Sequence, residues 1–357
     1  MRILGRYIAF EYLKAFFGTL LAICAIYLVV EYVDRARIYT GEGWLPAVLE
    51  LYANKGILFA YQLAPGAMLL AAGITLAGLR RRGEYTAMRA LAIGPYALLV
   101  PLMAVCLSLV GGAMAMDEFL VGRASIRVDA INTGRFKHWG DWRLFYGETR
   151  WFRGKRHIYH LRRGDADRGF EDVTVYAMSD GFKLSRRIDA ARMEATEEGG
   201  WRFVDGSQRE FDGATSRLER FEERVMHFDE GPSAFRIAKG RPEQLSLGGL
   251  REQIALRQNL GLHAERYHLA LHNKFASPLA GVPGVLLAFA LALRPGRRGR
   301  LASVLAEGFL IIVALWGLLV MFKAAAFAGY VSAAVASWGP VVMLAAASGL
   351  ALKRFVK

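Results

Sequence analysis

Six apolar runs fall into two groups of three, roughly residues 13–117 and roughly 271–352, with about 150 mostly polar residues between them. Each run is about 20 residues long, enough at about 1.5 Å rise per residue to cross a bilayer core of about 30 Å as a helix. A water-soluble chain would instead spread its apolar residues at helix or strand period along its whole length. The pattern predicts a membrane α-helical protein, six transmembrane helices arranged three plus three, with one extramembrane domain inserted halfway.

The chain has 357 residues, 54% of them hydrophobic, and a formal net charge of +14. Such a charge can serve nucleic acid, but its placement points to topology and no nucleic-acid partner is expected. Arg2, Arg6 and Lys14 lie at or before the start of the first run; Arg80, Arg81, Arg82 and Arg89 lie between the second and third. Arg294, Arg297, Arg298 and Arg300 lie between the fourth and fifth, and Lys353, Arg354 and Lys357 end the chain. If every run crosses, all fall on one side, which is the positive-inside pattern. Both termini are then expected in the cytoplasm and the inserted domain on the far side. The first run is too long for a cleaved signal peptide and continues into Glu31, Asp34 and Arg35. Cys24 and Cys106 sit inside apolar runs and read as packing residues.

The central block reads as β-structure. Alternating stretches at His157–Leu161, Asp172–Met178, Phe182–Ala190, Trp201–Asp205, Ser207–Phe211 and Arg217–Phe228 are separated by turn chemistry such as Gly164-Asp165, Asp180-Gly181, Gly199-Gly200, Asp205-Gly206 and Asp212-Gly213. Short strands at this spacing predict a sandwich or jelly-roll-like sheet pair. Its exposed edge would invite strand addition by a partner. Leu247, Leu250, Ile254 and Arg257 share a helical face, with Ser246 as the N-cap and Gly261 as the stop. The expected divisions are 1–117 for the first membrane half, 118–270 for the β domain with flanking stalks, and 271–357 for the second half.

Between the second and third runs, Leu79–Tyr96 (LRRRGEYTAMRALAIGPY) reads as a short amphipathic helix, with Glu84 and Arg89 exposed and Leu79, Met88 and Leu91 facing protein or lipid. A helix held there can be gripped from the cytoplasm and can push on the spans at both its ends; an interfacial helix whose arginines only enforce topology is the plainer reading. Arg35, Arg37, Lys55, Arg123 and Arg127 fall near the outer boundary, as phosphate ligands or as snorkelling anchors. Glu307 and Lys323 lie inside the fifth run and Lys274 near the start of the fourth, where charged groups face a cavity or reach for the boundary. No G-x-x-x-x-G-K-[ST] loop, metal-ligand spacing or nucleophile–base arrangement is present, so no catalysis and no cofactor are expected of this chain.

Several segments together resemble one family. They are Arg6-Tyr7-Ile8, Glu31-Tyr32-Val33-Asp34, Ala64-Pro65-Gly66-Ala67, Arg81-Arg82-Gly83-Glu84-Tyr85-Thr86-Ala87-Met88-Arg89-Ala90, Glu265-Arg266-Tyr267-His268, and Asn273-Lys274-Phe275-Ala276-Ser277-Pro278-Leu279. In order and spacing they are similar to the LptF/LptG (YjgP/YjgQ) lipopolysaccharide export permeases of Gram-negative inner membranes, and more to the LptG type. The resemblance implies a periplasmic β-jellyroll, pairing with an LptF-type permease, an LptB-type ATPase dimer that holds ATP and Mg, and hand-over of lipopolysaccharide to LptC and through it LptA. It makes the segment at about 79–94 a coupling helix, with Arg82, Glu84, Tyr85, Met88 and Arg89 facing the ATPase. It assigns the lipid A phosphates to Arg35, Arg37, Lys55, Arg123, Arg127 and Lys323. The family tends to carry a basic residue about where Glu31 stands, so here Arg35 or Arg37 has to make that contact. A permease of a different ABC exporter, or a membrane receptor with a β-sandwich ectodomain, is the alternative reading of the same layout.

Overall fold

The computed structural model describes residues 2–40, 43–136, 150–154, 156–165, 169–179, 183–196, 200–212, 215–228, 241–259, 263–294 and 301–355. The turn signals at Asp180-Gly181, Gly199 and Gly213, the stop at Gly261, and Arg297, Arg298, Arg300 and Lys357 lie outside the described residues. The chain divides into a membrane unit (residues 1–138, 243–247 and 268–357) and a β unit (139–242 and 248–267).

In the membrane unit, α1 (Arg2–Arg35) and α2 (Trp44–Arg81) are followed by the short α3 (Glu84–Ala90) and then by α4 (Tyr96–Met116). A π-helical turn, Asp117–Val121, joins α4 to α5 (Gly122–Gly134) without a break. After the β unit and α6 (Leu247–Asn259) come α7 (Glu265–Leu279), α8 (Gly281–Ala292), α9 (Leu301–Phe327) and α10 (Ala333–Phe355). Six of the resulting helical stretches are long and apolar enough to cross a membrane. The helices are longer than the apolar runs. At about 1.5 Å per residue the 38 residues of α2 reach about 57 Å, well beyond a bilayer core of about 30 Å. Residues 44–55, ahead of the second apolar run, are thus the first turns of α2, and residues 2–12, ahead of the first, are the start of α1.

Small residues set the packing. Gly281 lies so close to α2 that a Cβ would stand 2.5 Å from Met68 Sδ, and a Cβ on Gly73 would stand 2.7 Å from Val304 of α9. Pro65-Gly66 marks a close helix contact: a Gly66 Cβ would sit 3.2 Å from Ile312. α2 and α8 form the centre of the bundle, with Ile8, Tyr12 and Phe16 of α1 and Leu98, Leu102 and Cys106 of α4 packed on them. Both cysteines are buried and free. α1 and α9 carry the least buried apolar stretches. Along their apolar stretches 11% is buried in each, against 67% for Glu265–Ala292.

The β unit holds one antiparallel sheet, β1 (Arg150–Arg153), β2 (His157–Asp165), β3 (Gly169–Ser179), β4 (Lys183–Ala195), β5 (Trp201–Asp212) and β6 (Thr215–Met226), in the order β1-β2-β3-β4-β5-β6. Among the described residues there is no second sheet and no crossover, so the sheet pair expected of a sandwich is replaced by a meander in which each strand pairs with its sequence neighbours. It still encloses a core, because it curls. The inward alternation slips by one residue along a single row: Val173, Val175 and Ala177 give way to Phe170 in β3, Ile188 and Ala190 to Met193 in β4, and Gln208 to Phe203 and Trp201 in β5. The pairing register continues unchanged across that row. Asp172 and Asp205, both on the row, take φ +53 and +50, a left-handed backbone that Asp tolerates better than most residues. The Asp205-Gly206 signal, expected as a hairpin turn, is this crease in the middle of β5. The result is visible in the rings: Phe228 lies 5.9 Å from Tyr159 of β2 and 5.8 Å from Phe203 of β5. In a flat sheet those two strands would stand about 14 Å apart.

Candidate functional site

One end of the membrane unit gathers most of the cations that the sequence places on a single side. Arg80, in the last turn of α2, donates through Nη1 to the carbonyl of Ala292 and, at 3.4 Å, to that of Arg294. The C-terminal carbonyls of α8 have no partner within their own helix, and a guanidinium there satisfies them and offsets the helix dipole. Arg294 in turn lies over the ring of Phe355, 5.4 Å from its centroid, with Arg354 5.5 Å away. The connectors after α2 and α8 and the end of α10 thus share one face.

The helix expected over Leu79–Tyr96 is shorter than its sequence suggests. Residues 79–81 complete α2, Arg82 and Gly83 break it, and α3 holds seven residues. Gly83 has φ +76 and Ala92 φ +58, so left-handed residues bound α3 on both sides. Met88 faces the bundle core, Tyr85 is half-buried with Arg80 over its ring at 5.8 Å, and Arg89 and Leu91 are exposed. Glu84, expected to be free in the cytoplasm, is half-buried and engaged. It accepts from Arg82 Nε at 2.6 Å and from the Tyr7 hydroxyl at 3.0 and 3.2 Å. Arg82 also donates to the Tyr7 oxygen at 3.2 Å and lies 3.9 Å from Glu11. Desolvation is the largest single influence on the Arg82 cation and works against it, but the bond to Glu84 and the nearby Glu84, Tyr7 and Glu11 charges together outweigh it and raise its pKa.

At the other end, two of the expected phosphate ligands share one carboxylate. Lys55 Nζ stands 2.6 Å from Glu31 Oε1 and Arg35 Nε 3.3 Å from the same atom. Lys55 is buried and lies 5.0 Å from the Tyr52 ring centroid, within a group of Tyr32, Tyr39 and Tyr52. Arg127 is exposed and pairs with Glu50 at 2.5 Å. Arg37, Arg123 and Lys323 are exposed, and among the described residues no contact joins them to the Glu31 group. Lys323 lies 5.8 Å from the Phe327 ring centroid. Glu307 lines a narrow recess between α2, α8 and α9 with Leu69, Gly73 and Val304.

Lys274 does not reach for the boundary. It is buried, 2.8 Å from Asp117 Oδ2 and 3.8 Å from Glu118, on the π-helical turn. The same turn holds the returning chain. Glu118 accepts from the Leu247 amide at 3.0 Å, Gln244 donates to Asp129 at 2.6 Å and to Ser125 at 3.1 Å, and a Cβ on Gly122 would meet the Gln244 carbonyl at 2.5 Å. Sequence reading missed Tyr7, Glu11, Asp117 and Gln244. One signal for Asp117 was available: the adjacent acids Asp117 and Glu118 at the end of the third run and a single lysine near the start of the fourth.

Three-plus-three spanning helices, an inserted antiparallel β unit and a short helix pinned between two spans define the membrane subunit of a permease. The chain belongs to the family described as lipopolysaccharide export system permease LptF/LptG, which it matches over residues 6–354. It is 25% identical over 331 residues to the lipopolysaccharide export system permease protein LptG of Haemophilus influenzae, covering 87% of this chain and 88% of that protein. It is 23% identical over 308 residues to the protein of the same name from Escherichia coli K12, covering 83% and 82%. It is thus a multi-pass inner-membrane protein of the lipopolysaccharide export permease family, a membrane subunit of a transporter.

Proposed function

We propose that this chain is the LptG-type half of an ABC exporter. Paired with an LptF-type permease over an LptB-type ATPase dimer, it extracts lipopolysaccharide from the outer leaflet of the inner membrane. It then passes the glycolipid to a periplasmic bridge of LptC and LptA type. The clustered cations at the α2, α8 and α10 ends favour a cytoplasmic face there, which puts both termini inside and the β unit in the periplasm. Extracting a multiply acylated lipid bares apolar surface worth about 25 cal/mol per Å², a total of tens of kcal/mol if unsheltered. That demands both an energy source and an apolar path. The sparsely buried stretches of α1 and α9 supply apolar walls, with Phe17, Leu21 and Val29 on one and Phe309, Trp316 and Met321 on the other exposed. Arg37, Arg123 and Lys323 are the cations most open to lipid A phosphates, whereas Lys55 and Arg35 have first to leave Glu31.

The observation that carries the reading is α3: a short, mostly exposed helix pinned by Glu84 and Met88 at the cation-rich end, placed to be gripped by an ATPase. The experiment is co-purification. Wild type retains the ATPase dimer and Glu84→Lys loses it while still inserting in the membrane. Equal retention by both overturns the coupling role. Topology is tested by tags at residues 85 and 205, which should be accessible from opposite faces.

A further inference from the structure

Three features decide where a push on α3 goes. The end of α2 is bolted, because Arg80 ties it to the carbonyls of Ala292 and Arg294 and Leu76 and Leu79 are buried in the core. Between α2 and α3 stands Gly83 at φ +76, with nothing within 4 Å of where a Cβ would be, so the joint is uncrowded. α1, in contrast, is packed near its start, by Ile8, Tyr12 and Phe16 and by the Tyr12 hydroxyl on the Met68 carbonyl of α2 at 3.2 Å, while its apolar stretch is 11% buried. Among the described residues, the direct hydrogen bonds between α1 and α3 run through one pair, the Tyr7 hydroxyl on the Glu84 carboxylate at 3.0 and 3.2 Å. Arg82 braces that pair by donating to both partners, and Glu11, one turn beyond Tyr7, lies 3.9 Å from the same guanidinium. Lys14 then holds Glu11 at 2.6 Å.

We propose that Tyr7 is a positioning residue for transport: its hydroxyl makes the start of α1 follow α3, so that movement imposed at the cytoplasmic end passes into the sparsely buried remainder of α1. The proposal rests on the permease reading above. Glu84 then has two tasks, toward the ATPase outside and toward α1 inside, and Tyr7 separates them because it belongs to the second alone. Tyr7→Phe keeps the ring and its packing and removes only the hydroxyl.

The test uses the full complex, this chain with its partner permease and ATPase, in proteoliposomes carrying lipopolysaccharide. Three quantities are read: ATPase retained on purification, ATP hydrolysis rate, and glycolipid released per ATP hydrolysed. For Tyr7→Phe the first two should stay within about twofold of wild type, and the third should fall about three- to tenfold, as expected for the loss of one ordinary, solvent-accessible hydrogen bond. Spin labels at the exposed positions 17 and 86 give a readout that a merely structural role would not move. Their separation should be unchanged by nucleotide in wild type and should change with nucleotide in Tyr7→Phe. Unchanged release per ATP in Tyr7→Phe overturns the proposal alone. So does a 17–86 distance that responds to nucleotide equally in both proteins, which also decides the matter if the variant assembles poorly. Failure of wild type to retain an ATPase overturns the permease reading, and this proposal with it.

Discussion

Removing the Lys274 ammonium asks what the membrane unit gains from a charge pair between its two halves. Lys274 and Asp117 are 8% and 6% exposed, 2.8 Å apart. Lys274→Met keeps the apolar stem and leaves Asp117 desolvated without its cation. Breaking a buried pair from one side costs about 3–5 kcal/mol. At about 2 °C per kcal/mol for a chain of this size, the midpoint of unfolding should drop by about 6–10 °C. Replacing both residues, Asp117→Leu with Lys274→Met, removes the orphan and should recover most of the loss, because apolar groups in place of a buried pair are commonly neutral or stabilising. The assay is thermal unfolding in detergent with a thiol-reactive dye. The chain's two cysteines, Cys24 and Cys106, are both buried, so labelling reports opening of this unit. A single variant melting within about 2 °C of wild type would refute the idea that the pair is shielded from water. A double variant no better than the single would refute the attribution of the loss to an uncompensated carboxylate.

Gly122→Ala should loosen segment 243–247, since the new methyl meets the Gln244 carbonyl at 2.5 Å; limited proteolysis should cut near residue 244 faster than in wild type. At the crease, Asp205→Val should cost about 1–2 kcal/mol because a β-branched residue resists φ +50, whereas Asp205→Gly should be neutral or stabilising; urea unfolding followed by Trp201 fluorescence measures both. On β6, hydrogen bonds from Arg224 at 2.6 and 3.2 Å hold the Glu219 carboxyl below the usual glutamate range. That interaction is complete above the unfolded-state pKa and fades as acid brings the pH down through the lower folded-state value. Carboxyl-carbon NMR should show Glu219 returning to the ordinary range in Arg224→Gln.

Spans, their three-plus-three grouping and the inserted β-rich block were legible from hydropathy and alternation, because both patterns report the solvent that each residue meets. The length of the helices was not. Nothing in hydropathy distinguishes the first turns of α2 from a loop, since residues 44–55 leave the apolar core while staying helical. The coupling segment was legible in place and composition but not in extent. Gly83 and Ala92 trim it to seven residues, and alanine carries no sequence signal for a left-handed stop. Lys55 and Arg35 were legible as cations near a boundary, yet their shared partner, Glu31, sits 24 residues from one and four from the other, and only the nearer spacing can be seen in a sequence.

By itself, then, the sequence determined which stretches meet lipid, which side gathers the positive charge, and that a β block interrupts the helices. Tertiary structure alone decided that Glu84 answers to Tyr7, that Lys274 finds Asp117 157 residues away, and that six strands curl around one core instead of forming two layers. The reason is range. Solvent preference and backbone propensity act residue by residue and leave a periodic trace, whereas a charge pair or a crease depends on which distant segment packing brings alongside.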